Sequence, residues 1–248
     1  MIKMQILGRR RRDMTLAQHH AYMRDVHGEM VLDQIRQEPG VAPQRYVQNH
    51  VFDSAIRRDS GSTSSTSAPP LGCNFVTQVW FDDPRQAMAS TQAPFFVERL
   101  QPDEDRFVEQ STVVKVPATA VEVLGDSQGS ATATSSDPTS WFKVFIVLQA
   151  LPEVSQEVLL DTWAHQCDVQ LASSPGLARY VRNVALAVPG QTPAYHVIDE
   201  AWVPSEAAAR SLGAALFDAA CAGLDGVVVA DTTSMLLARE HVMHAGRE

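Results

Sequence analysis

With 248 residues, 45% of them hydrophobic and 20% charged, the chain is long enough for one large globular domain or two of ordinary size. A formal net charge of -9 disfavours a nucleic-acid surface, which needs clustered Lys and Arg, so the single basic run at residues 9–12 reads as a solvated turn. Cys73, Cys167 and Cys221 are odd in number and form no CxxC pair, which argues against a disulfide framework or a zinc site and fits a reducing cytoplasm.

In chain order, residues 2–8 read as a strand. Thr15-Leu16-Ala17-Gln18 is a capping-box pattern that predicts a helix running to about Glu38, where Pro39-Gly40 ends it. Strands follow near 44–52 and 74–82, then a helix from Pro84 and a strand near 111–116. Further strands are predicted near 141–149, 179–187 and 195–203, with helices over 155–172 and 205–217 and a last strand within 227–240. The opening segment MIKMQILGRRRR lacks a secretory cleavage pattern, and no apolar stretch approaches the ~20 residues of a membrane helix. A soluble, cytoplasmic protein is the expectation.

Two stretches, 54–72 and 125–139, are rich in Ser, Thr, Gly and Pro. An internal echo decides their roles. Arg45-Tyr46-Val47-Gln48-Asn49 matches Arg179-Tyr180-Val181-Arg182-Asn183 at an offset of 134, Gln78-Val79-Trp80-Phe81 matches Glu200-Ala201-Trp202-Val203, and Tyr22 aligns with Trp163. Residues 125–139 therefore read as a linker between units 1–124 and 140–248, and 54–72 as a loop within the first. Each unit has the order strand, helix, strand, strand, helix, strand. The predicted fold is α+β: two tandem ferredoxin-like βαββαβ units whose antiparallel sheets pack into an intrachain, pseudo-dimeric α/β barrel.

The run Tyr22-Met23-Arg24-Asp25-Val26-His27 resembles the helix signature of the EthD-like family in the dimeric α/β-barrel superfamily. The resemblance continues through Arg45-Tyr46-Val47-Gln48-Asn49-His50, Gln78-Val79-Trp80-Phe81-Asp82-Asp83 and Asp103-Glu104-Asp105-Arg106-Phe107-Val108. It implies a ferredoxin-like fold and a pocket between helices and sheet. Relatives include polyketide-tailoring proteins, lactone isomerases and cofactor-free oxygenases. The second unit departs from the pattern, carrying Asp168 where His27 aligns, so its pocket is expected to be degenerate.

On the first helix, Leu16, His20, Met23, His27 and Met30 recur at steps of 4, 3, 4 and 3 and should face the core, with His19 at the edge of that face. A desolvated neutral imidazole is suited to removing a proton beside a carbonyl. The resemblance and this stripe together single out His27, Tyr22, His50 and Tyr46 as catalytic candidates, and His20, Asn49, Met23 and Trp80 as substrate-binding candidates. Tyr46 and His50 share one face of a strand and Asn49 takes the other. His241 and His244 fall near an end expected to fray, and His165 on a solvated face. No metal-ligand spacing and no phosphate-binding glycine motif appears, so neither metal nor cofactor is predicted. The expected function is a cofactor-independent lyase, isomerase or cyclase acting by His acid/base chemistry on an aromatic or polyketide-like carbonyl compound. A non-catalytic ligand-binding barrel and a cofactor-free monooxygenase are the alternatives. The expected partner is a small-molecule substrate, with neither nucleic acid nor membrane, and a homodimer is left open.

Overall fold

The computed structural model describes residues 1–56, 72–124, 141–174, 176–188 and 190–246. Most of the loop predicted within the first half, and the predicted linker 125–139, lie outside the described residues. Along the chain run β1 (Ile2–Gly8), α1 (Leu16–Tyr22), a π-helical turn (Met23–His27), α2 (Gly28–Gln37), β2 (Arg45–Ile56), β3 (Phe75–Phe81), α3 (Pro84–Gln92), a second π-turn (Phe96–Leu100), α4 (Gln101–Glu104) and β4 (Val114–Leu124). Then follow β5 (Phe142–Leu148), α5 (Gln156–Ala172), β6 (Arg179–Ala185), β7 (Val197–Val203), α6 (Glu206–Gly223) and β8 (Ser234–His244). The class is α+β, with the strand–helix order that the sequence predicts.

Contacts divide the chain into two units. The first holds the described residues of Met1–His50, Cys73–Thr119 and Glu240–Glu248, and the second those of Val51–Gly72 and Ala120–Arg239. In the first unit β1 lies between β3 and β4, and β3 also pairs with β2, all antiparallel. In the second, β5 lies between β7 and β8, and β7 pairs with β6. The last strand runs to His244, so the segment expected to fray is ordered by the sheet, and His241 belongs to the first unit.

The first helix starts as its capping box dictates. Thr15 Oγ1 accepts from Gln18 N, and Gln18 Oε1 accepts from Thr15 N at 2.9 Å. Asp83 caps α3 by accepting from Arg85 N and Gln86 N, with Pro84 in the first turn. The basic run makes the expected turn: Arg11 forms a bidentate pair with Asp13, and Arg12 reaches Glu109 at 3.2 Å.

Between Met23 and His27 the first helix departs from the predicted spacing. A π-turn holds one residue more than the α-helical turn it replaces, so the buried face passes from His19 and Met23 to Gly28, Val31 and Gln34. His19 is fully buried rather than at the edge. The helix of the second unit has no such insertion. The N-caps Thr15 and Ser155 are 140 residues apart, which places His19 opposite Leu159 and Met23, not Tyr22, opposite Trp163. Beyond the π-turn the spacing falls to 139, and buried Gly28 corresponds to buried Cys167. The counterpart of His27 is therefore Gln166, two residues before the Asp168 that sequence alignment selects.

Candidate functional site

In the first unit, side chains on one face of the sheet and the facing helices enclose a cavity of about 130 Å³. Strand alternation supplies its floor: Met4 and Ile6 from β1, and Phe75, Thr77, Val79 and Phe81 from β3. Met4 and Ile6 are only half-buried, although strand residues beside them are closed off, because the cavity lies over them. The walls come from Met23, His27 and Val31 on the first helix and from Phe96, Leu100, Glu104 and Phe107 around the second π-turn. The lining is mainly apolar, with His27, Tyr46, Glu104 and Lys115 among its few polar groups.

His27 is held from behind. Its Nδ1 lies 3.0 Å from Asp103 Oδ2, and Tyr22 donates its hydroxyl to Asp103 Oδ1 at 2.6 Å. Burial pushes the Asp103 carboxyl up, but the hydrogen bonds from His27 and Tyr22 outweigh it and keep the group below its usual range. An ionised Asp103 requires Nδ1 to be the donor, so in the neutral imidazole Nε2 carries the lone pair. Nε2 has no hydrogen-bond partner among the described residues. The Phe107 ring packs against the imidazole at 4.9 Å between centroids and limits its rotation. The Tyr22 hydroxyl is pushed up in pKa by burial and by its bond to Asp103.

Tyr46 is fully buried and lines the same cavity from β2. Its oxygen accepts from Gln48 Nε2 at 2.6 Å, and the same amide donates to the Met23 carbonyl at 2.7 Å. That carbonyl lies in the π-turn, so the amide fastens β2 to the irregular part of the helix.

The structure thus brings together His27, Met23 and Tyr46 at the cavity, with Tyr22 joined through Asp103. The other candidates lie elsewhere. His20 and His50 stack at 4.5 Å, His50 meets His241 at 4.3 Å, and His50 Nε2 lies 3.0 Å from Gln48 Oε1. Burial lowers His20, and it takes His50 down to about 2, with His241 and His20 adding to the effect on His50. None of the three lines the cavity. Asn49 points to the opposite face of β2, donating to the Val76 carbonyl at 2.9 Å. Trp80 also takes the opposite face of its strand, between Lys3 Nζ and Arg45 Cζ, each 4.9 Å from its ring. Both were expected to touch substrate, and both side chains point away from the cavity, because alternation along β2 and β3 leaves it to Tyr46, Val79 and Phe81. Asp103 and Glu104 escaped residue-level reading of the sequence. Their one signal was the family-like run over 103–108.

The second unit fills the equivalent region with a buried polar cluster. Asp199 accepts from Trp163 Nε1 at 2.5 Å, from the Tyr180 hydroxyl and from Arg182 Nε at 3.2 Å. Arg182 also reaches Cys167 Sγ at 3.1 Å. In register, Arg182 faces Asp199 as Gln48 faces the cavity-lining Thr77 in the first unit. Tyr180 matches Tyr46, but Trp163 stands where the smaller Met23 leaves room. Asp168 and His165 are exposed on α5.

Residues 11–111, which contain all of the first-unit helices and both acids, match the family model of the EthD domain. Over that segment the chain is similar to the EthD domain. Solved structures similar to the whole chain include an anthrone oxidase-like protein, at 13% identity and a TM-score of 0.58 over 98% of this chain and 93% of that one. A putative chlorite dismutase aligns at 12% identity and a TM-score of 0.53 over 98% and 96%. A putative monooxygenase from Lactobacillus acidophilus aligns at 10% identity and 0.50 over 98% and 96%. At these identities the likeness is one of fold. No curated protein matches the chain in sequence. The matched segment contains His27, its anchor Asp103 and Glu104, while Met4, Ile6, Val113 and Lys115 of the cavity lining lie outside it. Among the described residues no helix is long and apolar enough to cross a membrane, and no group of three His, Cys, Asp or Glu side chains is arranged to hold a metal ion.

Proposed function

We propose that the EthD-like unit is a cofactor-independent acid/base enzyme, a lyase or isomerase, acting on an aromatic or polyketide-like carbonyl compound. One observation carries this reading: His27 lines an apolar cavity while its Nδ1 is anchored on a buried carboxylate. An anchored imidazole presents Nε2 as the base in a fixed direction, and the carboxylate stabilises the imidazolium formed when it accepts a proton. His27 removes a proton from the carbon beside the carbonyl. Tyr46, whose oxygen already accepts from Gln48, turns its own hydrogen to the enolate oxygen. Apolar side chains from β1 and β3 hold the body of the substrate by burial.

Solvent deuterium exchange into benzoylacetone, an aromatic β-diketone, followed by proton NMR, tests this. Wild-type protein should accelerate exchange and His27→Gln should abolish it with little change in melting temperature. Exchange at the wild-type rate in the variant, or binding of aromatic carbonyls with no exchange at all, sinks the proposal.

A second reading, cofactor-free oxygenation, draws support from the names of two fold neighbours, the anthrone oxidase-like protein and the putative monooxygenase. It uses the same base to form a substrate anion, with molecular oxygen as the oxidant. Oxygen uptake with anthrone, lost in His27→Gln, would select it over the first.

A further inference from the structure

The cavity beneath His27 does not end in apolar side chains. Where the second π-turn meets β4 it adjoins a more polar crevice lined by Gln101, Asp105 and Gln110 together with Thr91, Phe96, Glu104 and Lys115. The last four residues line the apolar cavity as well, so the two spaces meet there. Glu104 stands at this junction. It follows Asp103 directly in α4, so the residue that anchors the base and the residue at the junction are held by one short segment.

From this placement, and resting on the proton abstraction by His27 proposed above, we infer that Glu104 is a second catalytic residue, the general acid in the elimination of water from a β-hydroxy carbonyl compound. The apolar body of such a substrate fits the cavity, and its hydroxyl lies toward the polar crevice. His27 takes the proton from the carbon between carbonyl and carbinol. That C–H electron pair becomes the new C=C bond as the C–O bond breaks. The departing oxygen takes the proton of Glu104 and leaves as water, so the step forms an enone, an imidazolium and a carboxylate. Water in the crevice then returns the proton from His27 to Glu104, and nothing is oxidised or reduced.

The role requires a carboxyl group that keeps its proton near neutrality. Burial pushes Glu104 up, against the opposing pull of His27, Lys115 and the hydrogen bond with Gln110, while Asp105 adds to the rise. Adjacent Asp103, which receives two strong donors, is held down instead. Neighbours in sequence are thereby shifted in opposite directions, the sense in which paired carboxyl groups divide acid from base work.

The probe is the aldol of benzaldehyde and acetone, which loses water to give benzalacetone. Enone formation is followed by ultraviolet absorbance, and deuterium exchange at the carbon beside the carbonyl is followed in parallel. In Glu104→Gln, elimination should fall by on the order of 10²-fold while exchange persists, and the alkaline limb of the pH profile should disappear. Glu104→Asp should restore part of the elimination. Elimination by Glu104→Gln at the wild-type rate, or exchange without elimination by the wild type, overturns the inference and leaves the His27 reading intact. If the wild type shows neither exchange nor elimination, the His27 reading itself fails and the inference falls with it.

Discussion

Asp103 joins Tyr22 and His27 from 81 and 76 residues away in sequence, one carboxylate oxygen to each. Tyr22 and His27 stand five residues apart, a spacing that an α-helix does not bring onto one line. The intervening π-turn turns both toward a single acceptor.

Replacing Asp103 with Asn should therefore do two kinds of damage. The amide offers only one oxygen acceptor, so either Tyr22 or His27 loses its partner. An unsatisfied buried group costs about 1–3 kcal/mol, readable as a lowered urea midpoint. With the imidazole free to take the wrong tautomer, exchange into the diketone probe should fall by on the order of 10²-fold. Tyr22→Phe removes one donor and keeps the His27 anchor, so it should cost about 1 kcal/mol and leave most of the exchange.

His19 carries an imidazole where the second unit carries Leu159. It is fully buried, neither ring nitrogen has a hydrogen-bond partner among the described residues, and Phe75 and Phe107 lie at 5.5 and 5.6 Å. Burial lowers its pKa from 6.5 to about 3, with His20 and Arg10 adding to the effect. Lowered histidines bind fewer protons folded than unfolded, so the folded state weakens as pH drops. For His19 and His50 stability is complete above pH 6.5 and is lost below it, at about 1.4 kcal/mol per pH unit for each group, down toward pH 3 for His19. His19→Leu should raise stability at neutral pH by about 1–3 kcal/mol and make the acid side of the profile shallower. Thermal melts at a series of pH values would show both effects, and an unchanged slope would contradict the assignment.

Gly28 closes the π-turn in a crowded place. A Cβ there would stand 2.8 Å from Met243 Cε and 2.9 Å from Gln48 Nε2, the amide that ties β2 to the Met23 carbonyl. Gly28→Ala should destabilise by about 1–3 kcal/mol although alanine is the better helix former. Calorimetry would check it, and a raised melting temperature would mean that the amide and Met243 move aside freely.

The element order, the capped helix starts and the correspondence of Arg45-Tyr46 with Arg179-Tyr180 were legible because they rest on local periodicity and turn chemistry. Placing Tyr46 and Asn49 on opposite faces was legible for the same reason, since a strand offers only two faces. The orientation of the first helix beyond Met23 was not. A fixed 3.6-residue period cannot register one inserted residue, and so His19 seemed peripheral and His27 seemed to match Asp168. Asp103 was invisible as an anchor because its meaning comes from a contact 76 residues away. The ring stack of His20, His50 and His241 likewise joins three segments that no spacing rule connects.

The first-unit helix holds one residue more between Thr15 and Gly28 than α5 holds between Ser155 and Cys167, a difference of one codon. Its counterpart α5 runs as unbroken α-helix from Gln156 to Ala172 and sends Trp163 into the space that Met23 leaves open. A helix fixed at both ends cannot shed an inserted amino acid by sliding and must keep it as a bulge. A tryptophan-sized side chain at Met23 would fill the first-unit cavity as Trp163 fills its place beside Asp199, so whether a guest finds room beside His27 turns on a change of very small mutational size.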